Sequence, residues 1–86
     1  MNNKYTKKGI ARRQEILDFI IQYMKDNGFS PSLREIQEGV GICSMDAIRD
    51  HLKILERDGK IKMKPYQPRA ISVVGYEFRK VNDREL

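Results

Sequence analysis

Two glycines one residue apart, in Gly39-Val40-Gly41, have a spacing that could cradle a phosphate group. A nucleotide-binding loop of this kind follows a strand, opens a helix and carries a Gly-Lys-Ser/Thr sequence or a later ribose-binding acid. Here the glycines follow a segment with helical periodicity, and no Gly-Lys-Ser/Thr sequence is present. The alternative is a sharp turn between two helices, where Gly41 supplies a position free of Cβ crowding. The pattern favours the turn.

Catalytic and metal-binding chemistry have few candidate residues. The sequence contains one cysteine, Cys43, and one histidine, His51, and no nucleophile–base pair can be assembled from them. A single cysteine cannot form an internal disulfide, which suits a reducing cytosol. We therefore expect no enzyme activity, no cofactor and no metal site. We also expect His51 to be packed in the fold or to lie on a helix surface, rather than to act as a titrating switch, and Cys43 to be partly buried.

Basic side chains are concentrated in two segments of this 86-residue chain, whose net charge is +5. Residues 1–13 carry five basic and no acidic side chains, and residues 60–69 carry four basic and no acidic ones. Residues 14–59 hold five basic and nine acidic side chains, a net of −4. Two basic patches on one small fold indicate a polyanionic partner. With no apolar run long enough to span a membrane, we expect a cytoplasmic protein without a membrane partner.

The elements that position these side chains are three predicted helices followed by a hairpin. Apolar residues at helical spacing run from Arg13 to Asn27. Ser32 and Glu35 form an S-x-x-E capping box that predicts the start of a second helix. Ser44 is the expected N-cap of a third helix. The period then changes to two, which predicts two antiparallel strands and a mostly α fold with a small β-hairpin, a three-helix winged helix-turn-helix.

Four segments of the sequence resemble the N-terminal DNA-binding domain of LexA-type SOS repressors. They are "RQEILDFI", "NGFSPSLREI", "GICSMDAIRDHLKILERDGKI" and "PRAISV", and the resemblance runs from about Gly9 to Val74. It implies a winged helix, operator DNA as the ligand and transcriptional repression. Repressors of this family also carry a peptidase and dimerisation domain with an Ala-Gly cleavage site. No Ala-Gly pair occurs in this sequence, so the resemblance does not extend to self-cleavage.

The chain divides into three predicted parts. We predict a basic flexible arm over residues 1–8, a winged helix-turn-helix DNA-binding domain over residues 9–75 and a polar tail over residues 76–86. We expect a free-standing protein of a phage or mobile element, with a DNA-binding domain cut out of a longer repressor as the alternative.

The resemblance implies a recognition helix over residues 44–58 in the major groove and a wing over residues 60–74 on the DNA backbone. Asp46 can accept a hydrogen bond from cytosine N4, and Arg49 suits guanine O6 and N7. Arg69 suits a phosphate contact. The predicted DNA-binding residues are Ser32, Arg34, Ser44, Asp46, Ala47, Arg49, Lys53, Lys62, Lys64, Gln67 and Arg69.

A protein partner is the alternative to double-stranded DNA. Asp46 and Asp50 place two acids on the third helix. A small winged helix of phage or mobile-element origin with such a surface could bind and inhibit another protein. In either case the sequence has no long heptad pattern, so we expect a monomer in solution and a possible dimer on DNA.

Overall fold

Three helices and two strands follow one another along residues 7–65 and 67–76, the part of the chain that the computed structural model describes. The elements are α1 (Lys7–Asn27), α2 (Leu33–Val40), α3 (Met45–Arg57), β1 (Ile61–Met63) and β2 (Ile71–Val73). The two strands pair in antiparallel fashion. The predicted mostly α fold with a small β-hairpin, a winged helix-turn-helix, is confirmed.

Helix α1 begins earlier than the apolar pattern predicts. It starts at Lys7 rather than Arg13, so Lys7 and Lys8 are helical although we predicted an arm over residues 1–8. The side chain of Ile10 in these added turns is 54% exposed. No stripe of buried apolar side chains therefore marks these turns in the sequence. Residues 1–6 and 77–86 lie outside the described residues, and the predicted arm and tail stay predictions.

Local capping sets the start and end of α2. The Ser32 hydroxyl accepts a hydrogen bond from the Glu35 backbone N–H at 3.1 Å, and the Glu35 carboxylate accepts one from the Ser32 N–H at 2.8 Å. The helix ends at Gly41, which has a left-handed backbone with φ of 71° and donates its N–H to the Gln37 carbonyl at 3.0 Å. Gly41 therefore begins the turn between α2 and α3, as predicted.

Ser44 caps the start of α3 by accepting a hydrogen bond from the Ala47 backbone N–H at 3.2 Å.

The hairpin follows the end of α3. After α3 the chain forms β1 and β2, in which Ile61 faces Val73 and Met63 faces Ile71. The short strands therefore present a buried face to the helices and an exposed face to solvent.

The core joins side chains from every helix and from the hairpin. Its fully buried members include Ile16, Ile20, Ile36, Ile48, Leu52 and Ile61. Burial of a side chain of this size stabilises the fold by about 1.5–3 kcal/mol. Because β1 contributes Ile61 and β2 contributes Ile71 and Val73, the hairpin is packed against the helices.

Gly39 lies within α2 where the helix packs closely on α1. A Cβ atom at this position would overlap the ring of Phe19. This close approach accounts for a glycine inside a helix, where it costs ~1 kcal/mol relative to alanine.

The predictions for the single histidine and the single cysteine have opposite outcomes. His51 is 8% exposed, and its Nδ1 lies 3.4 Å from Nη1 of Arg13, so of the two predicted placements the structure shows the packed one. Cys43 is exposed, so its predicted partial burial is wrong. It lies in the turn between α2 and α3, where its carbonyl accepts a hydrogen bond from Gln37 Nε2 at 2.6 Å.

Candidate nucleic-acid interface

The first half of α3 presents an exposed polar surface. The side chain of Asp46 is 92% exposed and that of Arg49 is 56% exposed. Ser44 is exposed and Ala47 half-buried, while the Ile48 and Leu52 side chains are buried in the core. Helical spacing therefore leaves the predicted contact residues on the outer side of the helix.

Asp46 and Arg49 form an ion pair on this outer side. The carboxylate Oδ1 and the guanidinium Nη1 are 3.7 Å apart, one helical turn along α3. Exposed pairs of this kind contribute about 0–1 kcal/mol. Both groups therefore stay available to an external ligand at small cost.

One cleft lies between the start of α2, the start of α3 and the hairpin, and we call it the wing cleft. Its volume is about 680 Å³. Apolar side chains of Leu33, Met45 and Met63 form part of its lining, next to several cations. Six of the predicted residues line the wing cleft: Ser32, Arg34, Arg49, Lys64, Gln67 and Arg69.

A second cleft, which we call the α1 cleft, lies between the start of α1 and the start of α3. Its volume is about 490 Å³, and it brings the predicted residues Ser44 and Ala47 next to Lys8 and Arg12. Neither of these two cations was in the predicted set. Both belong to the basic segment 1–13, but only the fold places these two side chains beside the third helix.

Two other predicted cations, Lys53 and Lys62, are exposed and line neither of these clefts. Lys62 is the outward residue of β1, paired with Ser72 of β2. These lysines add positive charge to the exposed surface of α3 and β1, and contact with a polyanion stays a prediction for both.

Arg69 makes contacts within the fold. Its Nη1 lies 2.7 Å from Glu35 Oε1, and it donates hydrogen bonds to the Tyr23 hydroxyl at 3.0 Å and to the Ser30 carbonyl at 3.1 Å. The guanidinium carbon also lies 5.1 Å from the ring centroid of Phe29. The phosphate contact predicted for Arg69 stays a prediction, and the structure gives its guanidinium other partners.

The Glu35 carboxylate is strongly favoured in its ionised form. The backbone hydrogen bond from Ser32 and then the side-chain hydrogen bond from Arg69 lower the pKa of Glu35 from 4.5 to about 2, with a smaller contribution from Tyr23. The same contact with Glu35 raises the pKa of Arg69. Each charge therefore stabilises the other at neutral pH.

Among residues 7–65 and 67–76, no three His, Cys, Asp or Glu side chains are grouped so that they could hold a metal ion. Nor does any helix within those ranges have the length and apolar character needed to cross a membrane.

The fold and the exposed surface define a winged helix-turn-helix protein with cations on both sides of its third helix, an arrangement typical of DNA-binding domains. Residues 7–70 match the family model described as the LexA DNA binding domain, and the chain belongs to this family. The resemblance seen in the sequence is thereby confirmed.

Several curated relatives are similar over most of this chain. The LexA repressor of Geobacillus thermodenitrificans is 42% identical over 74 residues, which cover 86% of this chain and 36% of the relative. The LexA repressor of Halalkalibacterium halodurans is 46% identical over 66 residues, covering 77% and 32%. That of Staphylococcus epidermidis is 40% identical over 74 residues, covering 86% and 36%. The chain thus spans about a third of the length of these relatives.

Proposed function

We propose that the chain binds double-stranded DNA in a sequence-specific manner and acts as a non-catalytic transcriptional repressor. The observation that carries this proposal is the surface formed by the first half of α3 and the two flanking clefts, in a domain of the LexA DNA-binding family. A repressor of this kind acts where bacterial DNA is, so we assign it to the cytoplasm. The protein-partner alternative has no support from the family or from the relatives.

In the proposed complex, the start of α3 enters the major groove. Asp46 and Arg49 face base edges there, while Ser44 and Ala47 lie near the groove wall. Arg34 and Lys64 on the rim of the wing cleft contact phosphates. Further contacts with the DNA backbone are assigned to Ser32, Lys53, Lys62 and Gln67. Lys8 and Arg12 of the α1 cleft are added to this set.

The proposal is tested by fluorescence anisotropy with a labelled duplex at increasing salt concentrations. With about five phosphate contacts, log K should fall with log salt at a slope of about −4 to −5, because each contact releases a condensed counterion. Lys64→Ala should reduce the magnitude of this slope by about 1. Lys25→Ala, which removes an exposed lysine that lines neither cleft, is the matched control and should leave the slope unchanged. Absence of duplex binding at low salt would refute the proposed function.

A further inference from the structure

Arg69 extends from the hairpin connection towards the helices. Its backbone is left-handed, with φ of 54°, a conformation that side-chain-bearing residues seldom adopt. The guanidinium is held by three oxygens and one aromatic ring, all from the segment between Tyr23 and Glu35. Such a set of partners orients a side chain more firmly than a single surface ion pair.

Glu35 connects this arginine to the helix-turn-helix. Its Oε1 accepts hydrogen bonds from the Ser32 N–H and lies 2.7 Å from Arg69, and its Oε2 accepts one from the Tyr23 hydroxyl at 2.9 Å. The carboxylate that closes the capping box of α2 is therefore also the counter-ion of the hairpin arginine.

A second contact attaches the hairpin at the same place. The Ser30 hydroxyl accepts a hydrogen bond from the Ile71 backbone N–H at 3.2 Å, and Ser30 itself is 4% exposed. The returning strand β2 thus starts from a point fixed to the segment before α2. Since α2 leads through the Gly41 turn into α3, the hairpin is held in a defined position relative to α3.

We propose that Glu35 and Arg69 are positioning residues for DNA recognition, which set the separation between the wing and the recognition helix across the wing cleft. The inference rests on the proposed function. Neither side chain needs to touch DNA, because the pair acts through Lys64 and Gln67, which lie in the connection that Arg69 closes.

The test compares the duplex affinities of two variants that each lose one acidic side chain. Removing an acid from a DNA-binding domain reduces its repulsion of phosphates and favours tighter binding. Glu35→Gln keeps a side chain that can complete the capping box but removes the counter-ion of Arg69. We expect this variant to bind a duplex about tenfold more weakly, the effect of losing one charge-assisted hydrogen bond. Glu38→Gln, which removes an acid from the same helix, is the matched control and should bind as tightly as wild type or more tightly.

The double variant Glu35→Gln/Arg69→Ala separates positioning from direct contact. If Glu35 acts through Arg69, adding Glu35→Gln to Arg69→Ala should weaken binding no further. Amide hydrogen exchange of the free protein supplies a readout without DNA: in Glu35→Gln the exchange of the Ile71 amide should be accelerated by a larger factor than that of the core amide of Leu52, which reports global unfolding.

The outcomes distinguish the inference from the function on which it rests. If wild type binds duplex DNA and Glu35→Gln binds as tightly as Glu38→Gln, the positioning role is refuted and the proposed function stands. The positioning role is also refuted, and the proposed function stands, if Glu35→Gln weakens duplex binding by the same factor in the wild-type and the Arg69→Ala backgrounds. If wild type binds no duplex, the proposed function fails and the inference fails with it.

Discussion

Arg49 is the residue on which base preference should depend most. It projects from the outer side of α3 with a side chain that is 56% exposed, and Asp46 lies one turn away. A guanidinium can donate two hydrogen bonds to guanine O6 and N7. We expect Arg49→Ala to lose ~1–3 kcal/mol of discrimination at one base pair, measured by selecting bound sites from a random duplex pool.

Arg34 is the matched control for this experiment. It lies in the first turn of α2, and its side chain is 83% exposed. Since the first helix of the motif crosses the DNA backbone, Arg34→Ala should weaken binding to all sequences alike. If Arg34→Ala changed the selected consensus and Arg49→Ala did not, our assignment of base and backbone contacts would be reversed.

Glu35 should make the stability of the fold depend on acid pH. Its pKa is lowered from 4.5 to about 2 in the folded chain, so its ionised form is stabilised by folding. This stabilisation is complete above about pH 4.5 and is lost as the pH falls towards 2. The free energy of unfolding of Glu35→Gln, from urea denaturation, should therefore lie below that of wild type at pH 6.

The difference between these two proteins should narrow as the pH is lowered to 2.5. Every other carboxylate is common to the two proteins, so the comparison isolates Glu35. A difference of the same size at pH 6 and pH 2.5 would show that the carboxylate charge of Glu35 does not stabilise the fold.

At the scale of elements, the contact between α1 and α2 depends on Gly39. Alanine would gain ~1 kcal/mol of helix propensity there, but its Cβ would overlap the Phe19 ring. Overpacking costs typically about 1–3 kcal/mol. We expect Gly39→Ala to lower the free energy of unfolding by about 1 kcal/mol net, measured by urea denaturation.

Replacing Phe19 by a smaller residue should remove this loss of stability. In the Phe19→Leu background, Gly39→Ala should be neutral or stabilising, because the ring that it meets is gone. A loss of stability of the same size in both backgrounds would show that the close approach to Phe19 is not the reason for the glycine.

The sequence predicted those features of the elements that depend on near neighbours. The caps at Ser32 and Ser44 and the turn at Gly41 each involve residues within a few positions, so their types alone indicate them. Contacts between distant residues were not predictable in this way. Arg69 reaches Tyr23 across 46 positions and Ser30 across 39, so its inward orientation becomes visible only once the hairpin is packed.

The location of the candidate DNA-binding surface was likewise only partly predictable from the sequence. The basic segment at the start of the chain was evident from composition, whereas the place of Lys8 and Arg12 beside α3 depends on the packing of α1. For this reason Lys8 and Arg12 were missing from the predicted contacts. The exposed residues of α3 were predictable because the apolar stripe of that helix identifies its buried side.

For the molecule as a whole, we predict a monomer at micromolar concentration. The sequence offers no long heptad pattern that could pair two helices. The other apolar residues that could pack on a second chain belong to the 76–86 tail, most of which lies outside the described residues. Light scattering on the free protein should give the mass of one chain. On duplexes with two half-sites about one helical turn apart, it should give two chains. A DNA-free dimer that disappears when residues 76–86 are deleted would contradict this prediction and give the tail a role in assembly.

The most direct test of the central claim is an NMR titration of the 15N-labelled chain with a short duplex at low salt. We predict that amide shifts concentrate at the start of α2, the first half of α3 and residues 62–69, with a further group at Lys8 and Arg12. The exposed side of α1 around Gln22 and Lys25 should be unaffected. An absence of shifts, or shifts confined to that side of α1, would contradict the proposal that the third helix and its two clefts bind DNA.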